Sequence, residues 1–261
     1  MKNDKLKSIL GIPYFLFLVI FVVCPVLILL YYAFTNGAGE FSLANFTLFF
    51  TDSKAIGTLI YSVMIAVVTT IVCLLIAYPV AYFLAKGEFR RGNVLLMLFI
   101  MPMWINFTLR ITALKEILTL IEGNLAFHPF LNTVIGMTYD FLPFMILPIY
   151  NTIAKIDHSY IEAAKDLGAK SYCVFLRVIL PLSIPGIISG ITMVFLPSMT
   201  NYVVLDMMYN STYIMGSLVG SYFSMYDWNN GSVISMILLI LILLLSTITG
   251  EFSDKEDNAY E

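Results

Sequence analysis

Six stretches of this chain are apolar and long enough to cross a bilayer: 9–34, 58–85, 94–112, 130–153, 183–205 and 232–250. A membrane helix needs roughly 20 predominantly apolar residues. Hydrocarbon offers no partner to a bare N–H or C=O, so such stretches satisfy their backbones internally, as helices. Composition agrees. Of 261 residues, 60% are hydrophobic and 12% charged, where a soluble domain carries about a quarter. The reading is an all-α integral membrane protein with six transmembrane helices, forming a single transmembrane domain over 1–261. The first stretch follows a lysine-bearing start. It is too long for a signal-peptide core and lacks a small-x-small cleavage site, so it counts as an uncleaved first span.

Lysine and arginine set the orientation. Lys2, Lys5 and Lys7 precede the first span, and Lys86, Arg90 and Arg91 separate the second from the third. Lys155, Lys165, Lys170 and Arg177 separate the fourth from the fifth, and Lys255 follows the sixth. All fall on one side of a six-span chain. The other side has Lys54, Lys115 and, near the end of a span, Arg110, while 206–231 contains no basic residue. A multi-pass protein of the cell membrane with both termini cytoplasmic is expected. The acidic tail 251–261 is expected to be solvated.

Several function classes find no support. There is no basic patch with interleaved aromatics, so nucleic acid is not an expected partner. Cys24, Cys73 and Cys173 form no CxxC pair or Cys/His cluster, so neither a metal site nor a disulfide framework is indicated. His128 and His158 are predicted on opposite sides of the membrane and cannot share a catalytic site. No G-x-x-x-x-G-K-[ST] motif occurs, so the chain is not itself an ATPase.

Most spans contain proline, at 25, 79, 102, 143, 148 and 197. Each removes a backbone donor, which reads either as ordinary kinking in a packed bundle or as broken helices along a path. Gly186-x-x-x-Gly190 with Ser189 lets a neighbouring backbone approach closely. The run SMILLILILLLS in the last span is large and apolar all round, and reads as lipid-facing.

Between the fourth and fifth spans, about 155–182, lies a charged, helix-forming segment. Ser159 and Glu162 fit a capping box, with Ser159 at N-cap and Glu162 at N3. Tyr160, Ile161, Ala164 and Leu167 recur at helical spacing. Gly168 sits where a left-handed C-cap belongs. Ser171 opens a second helix running through Arg177 to Pro181. The product is a cytoplasmic helical hairpin. It is either an interfacial helix without a partner or a rigid knob for a partner's groove.

The stretch EAAKDLGAKSYCVFLRVILP resembles the EAA loop in the membrane subunits of ABC importers. That pattern is E-A-A, three residues, G, nine residues, I-x-L-P. It matches Glu162-Ala163-Ala164, Gly168 and Leu180-Pro181, with Val178 in place of Ile. The resemblance implies that the hairpin is a coupling helix docking on a cytoplasmic ATPase, with Glu162, Ala163, Ala164 and Gly168 in that role. MPMWINFTLRITALKEIL, LPFMILPIYNTIAKID, ILPLSIPGIISG and YDWNNGSVIS resemble the B-type permease subunits of spermidine/putrescine importers. Related permeases for anions, iron or thiamine share much of this scaffold. The implied partners are a homologous second permease subunit, an ATPase dimer that binds ATP and magnesium, and an extracytoplasmic polyamine-binding protein. No cofactor is implied in this chain.

A secondary transporter would want an inverted repeat beside its intramembrane charges, and a channel a selectivity ring; neither is found. Arg110 and Asp140 fall inside spans, where charges are expensive. They read either as a pair bridged by water or as lining of a substrate path. Trp104 reads as path-lining or as ordinary packing. A polyamine path wants carboxylates and aromatic faces. Asp206, and Asp227 with Trp228, supply these on the predicted external side; the competing reading of the second cluster is an interfacial anchor.

Overall fold

The computed structural model describes residues 13–87 and 92–257. Lys2, Lys5, Lys7, Arg90, Arg91, the side chain of Lys255 and the end of the acidic tail lie outside the described residues. Among the described residues the regular elements are helices, joined by turns and loops, with an isolated bridge between Thr35 and Phe41. In chain order the helices are α1 Pro13–Ala33, α2 Ala44–Thr51, α3 Ser53–Lys86, α4 Gly92–Ile100, α5 Phe107–Glu122 and α6 Pro129–Lys155. They continue with α7 His158–Asp166, α8 Ser171–Leu182, α9 Ile184–Thr200, α10 Tyr202–Met207, α11 Met215–Ser224 and α12 Trp228–Asp257. Among the described residues, α1, α3 and α6 are each long and apolar enough to cross a membrane. Two bent pairs would bring the number to five if each is one span, and α12 adds a shorter apolar stretch, Trp228–Leu244.

Those bends correct two of the expected spans. The stretch 94–112 is not one straight helix. α4 tightens into a 3₁₀ turn at Met101–Trp104, and α5 departs at 97°. Pro102 lies in that turn, Ile105 is extended, and Asn106 then caps α5 by accepting from the amides of Thr108 (2.9 Å) and Leu109 (3.4 Å). The stretch 183–205 also divides. α8 meets α9 at 61° around Ser183, between Pro181 and Pro185. α9 ends at Thr200, because Asn201 leaves helical geometry before α10 begins.

The chain packs as two compact units. The smaller takes the described part of 1–58 with 217–241. In it, two asparagine amides satisfy carbonyls at the end of α1. Asn229 Nδ2 donates to Tyr32 (3.0 Å) and Thr35 (2.6 Å), and Asn45 Nδ2 donates to Thr35 (2.8 Å).

The larger unit, built on 59–216, centres on α6, which is buried along most of its length from Asn132 to Ile153. The small-residue spacing on α9 works as the sequence suggests. A Cβ on Gly186 would lie 2.5 Å from Thr152 Oγ1 and 2.8 Å from the Pro148 carbonyl. One on Gly190 would lie 2.6 Å from Met145 Sδ. α6 and α9 therefore meet backbone to backbone. The seam tolerates no added bulk, and overpacking typically costs about 1–3 kcal/mol. Gly186→Leu should lower the thermal unfolding temperature of the purified protein in detergent and reduce its yield in membranes. Parental melting would mean that the seam is loose.

α12 departs in part from its lipid-facing reading. Leu238 is buried, whereas Leu239, Ile240, Leu243 and Leu244 are exposed.

Candidate functional site

The hairpin forms where the sequence places it, with one correction at its start. Asp157, not Ser159, is the N-cap of α7, and its carboxylate accepts from the Ser159 amide at 2.9 Å. Hydrogen bonding from Ser159 holds the Asp157 carboxyl below the usual carboxylate range. Aspartate caps as well as serine does, and here the helix begins two residues earlier than the serine signal suggests. Glu162 consequently closes no capping box. It sits on the exposed face with Oε1 at 3.4 Å from Nδ1 of His158.

The end of α7 is as expected. Gly168 has φ +81°, the left-handed conformation that favours glycine. Its amide donates to the Lys165 carbonyl at 2.8 Å, and the Ala169 amide donates to the Ala164 carbonyl at 3.0 Å. Together these make a Schellman stop. The apolar stripe splits in function. Ile161 is buried and Ala164 is packed against the core, which fixes the helix. Tyr160 and Leu167 face outward, and Leu167 is 89% exposed. Leu167 is thus an exposed apolar side chain held at the tip of the turn. Beside it lies a concavity of about 490 Å³, lined by Leu167, Gly168, Tyr172, Cys173 and Arg177 among others.

The base of the hairpin carries anchors that sequence reasoning missed. Lys86, the last residue of α3, donates from Nζ to the Ile156 carbonyl at 2.7 Å, just past the end of α6. The Tyr78 hydroxyl and Ser183 Oγ are 2.9 Å apart. The rings of Tyr78 and Tyr82 meet Phe175 edge-on, at 5.7 and 5.3 Å. A lysine at a helix end is a weak signal of such an anchor, because its partner is a backbone carbonyl that no pattern marks. α8 also contains a π-helical segment, Phe175–Ile179.

Of the predicted path residues, the structure joins Arg110 and Asp140. Arg110 Nη2 on α5 donates to Asp140 Oδ1 on α6 at 2.6 Å, with the residues 8% and 4% exposed. The contact is direct, not bridged by water. Trp104 stands 81% exposed on the 3₁₀ turn, so it is not ordinary packing within this chain. Asp206 is exposed on α10. Asp227 turns inward to its own helix. Its Oδ1 accepts from the Asn230 amide (3.1 Å) and its Oδ2 from Asn230 Nδ2 (2.8 Å). Trp228 packs with Phe223, Tyr32 and Tyr226, at ring separations of 5.5, 6.2 and 6.5 Å. Among the described residues no group of three or more His, Cys, Asp or Glu is placed to hold a metal ion.

The chain is similar to known proteins over most of its length. The family described as binding-protein-dependent transport system inner membrane component matches residues 77–253. The spermidine/putrescine transport system permease protein PotB of Haemophilus influenzae is 35% identical over 265 residues, 93% of this chain and 92% of that protein. PotB of Escherichia coli K12 is 35% identical over 221 residues, 78% of this chain and 80% of that protein. A chain of a bacterial alginate ABC transporter, solved with an alginate-pentasaccharide-bound periplasmic protein, superposes with a TM-score of 0.76 at 12% identity. That match covers 97% of this chain and 96% of the other. A chain of the inward-facing MetNI methionine ABC transporter gives 0.57 at 17% identity, over 77% and 97%. The last two show the fold. With the PotB likeness running nearly end to end, the chain belongs to the family of binding-protein-dependent transport system inner membrane components.

Proposed function

We propose that this permease subunit serves an ATP-driven importer of polyamines. It spans the membrane six times as a single working domain, with both termini and the α7–α8 hairpin in the cytoplasm. A cytoplasmic ATPase dimer binds ATP and magnesium, a homologous second permease completes the path, and an extracytoplasmic polyamine-binding protein delivers the substrate. The observation that carries this reading is the likeness to PotB proteins over nearly the whole chain. The Schellman-stopped hairpin, with Leu167 outermost, supports the coupling half. Glu162, Ala163, Ala164 and Gly168 form its docking surface. This chain does no covalent chemistry. ATP binding and hydrolysis in the partner bias the inward- and outward-facing states, and the hairpin carries that bias to the helices.

The path half rests on charge. Between Asp206 and Gly231 no basic residue interrupts Asp206, Asp227, Trp228 and the tyrosines, which favours cations. The Arg110 charge is balanced by Asp140, so it adds no net positive charge beside the proposed path. The test is radiolabelled uptake by cells lacking this subunit and complemented with it, using spermidine, putrescine and molybdate. Complementation should restore uptake of the two polyamines and not of molybdate, and Asp206→Asn should reduce it with expression unchanged. Restored molybdate uptake without polyamine uptake would overturn the substrate assignment.

A further inference from the structure

The smaller unit contains a cavity of about 300 Å³ between α2, the start of α3, α11 and α12, to which no function has been given. Its polar lining is Asn45, Asp52, Tyr222 and Asn230, set among Leu48, Phe49 and aliphatic residues. The direction of its hydrogen bonds is informative. The Asn45 amide nitrogen is engaged with the Thr35 carbonyl (2.8 Å), and the Asn230 nitrogens, backbone and side chain, with Asp227. Each amide keeps its Oδ1 as an acceptor. Asp52 uses Oδ1 to cap α3, accepting from the Lys54 amide at 2.9 Å, which leaves Oδ2. Burial, followed by the Asp52 and Asp227 carboxylates, raises the Tyr222 phenol above its ordinary pKa.

The cavity thus offers acceptors, one carboxylate and the aromatic rings of Tyr222 and Phe49. The unit around it holds three acids among its described residues, Glu40, Asp52 and Asp227, against one base, Lys54, which does not line the cavity. Acceptors with negative potential and π faces suit a cation that carries its own N–H donors on an apolar stem.

We infer that this cavity, with Asp52 as counter-ion and Tyr222 as ring, is a binding site for a primary alkylammonium group. The assignment rests on the polyamine reading for its biological ligand, and in the proposed topology the cavity opens on the external side. One ammonium terminus enters, and the methylene chain lies along Leu48 and Phe49. The site is distinct from Asp206, which lies in the larger unit, and from the Asp227 carboxylate, whose oxygens are engaged by Asn230.

The test measures the site apart from transport. Leu48→Cys places a thiol on the exposed lip of the cavity, in the complete transporter purified in nanodiscs. Two methanethiosulfonate reagents of similar size are compared, one bearing ammonium and one sulfonate. Labelling at position 48 is read by peptide mass spectrometry, apart from the native cysteines, and normalised to each reagent's rate on a free thiol. The ammonium reagent should react about tenfold faster than the sulfonate. Putrescine at concentrations on the order of millimolar, a weak-binding range, should slow it. Adding Asp52→Asn, which keeps the Oδ1 cap on Lys54, should remove most of the preference. Adding Tyr222→Leu should weaken protection by putrescine.

Equal rates for the two reagents, a preference untouched by Asp52→Asn, or no protection by putrescine would each overturn the site. The cellular uptake assay separates this from the function. Protection without polyamine uptake removes the polyamine importer and keeps an alkylammonium site. Uptake without protection removes the site alone.

Discussion

Replacing Gly168 by Val is expected to leave the subunit in the membrane and abolish transport. The space around the glycine is not the reason, since a Cβ there would meet nothing within 4 Å. The reason is the backbone. At φ +81° an L-residue costs about 1–2 kcal/mol, and a β-branched residue more. The turn would re-form elsewhere, the bonds from Gly168 to Lys165 and from Ala169 to Ala164 would be lost, and Leu167 would leave its position at the tip. Gly168→Asn is the control, because asparagine tolerates the left-handed region and should retain most of the activity. The measurement is substrate-stimulated ATP hydrolysis and uptake in the assembled transporter, with membrane content checked by blotting. Normal stimulation and uptake in Gly168→Val would remove the coupling role of the hairpin.

The second large effect is expected at Arg110 and Asp140. Arg110 meets Asp140 through Nη2 alone, and its Nε and Nη1 have no partner among the described residues. Each charge therefore leans on the other. Removing one member of a buried pair leaves an uncompensated charge and typically costs about 3–5 kcal/mol. Arg110→Met and Asp140→Leu, singly, should each lose most folded protein or melt far below the parent. Exchanging both for apolar residues is often neutral or stabilising. The double variant should therefore recover stability, read as the thermal unfolding temperature in detergent. Single variants as stable as the parent would show that the pair is not mutually dependent. Recovered stability without recovered uptake would place the pair in the transport cycle as well as in the scaffold.

What the sequence disclosed follows the range of the interactions involved. Gly168 was legible because a Schellman stop is local: the stripe ends, a glycine follows, and the bonds span five residues. The α6–α9 seam was half legible, since Gly186-x-x-x-Gly190 announces a close approach but not that Met145 and Thr152 receive it. The α7 cap was misplaced by two residues, because Asp157 and Ser159 are both good caps and only the backbone path chooses between them. The break at Pro102–Asn106 stayed hidden because an apolar run looks the same whether its helix is straight or turned by 97°. The Arg110–Asp140 contact spans 30 residues, so its directness could not be read from spacing. The ammonium cavity was beyond reach, since Asn45, Asp52, Tyr222 and Asn230 are brought together only by packing.

The seam at Gly186 also has a mechanical consequence. α6 leads into the hairpin and α9 leads away from it. The two are in backbone contact from Met145 to Thr152, within a turn of where α6 ends at Lys155. Two arms joined so near their tip cannot readily splay. A load applied at Leu167 is therefore expected to swing α6 and α9 as one beam, with the Lys86–Ile156 bond acting as a strut from the end of α3. Under the proposed coupling role, displacement at the hairpin would reach the bundle as a tilt of these paired helices.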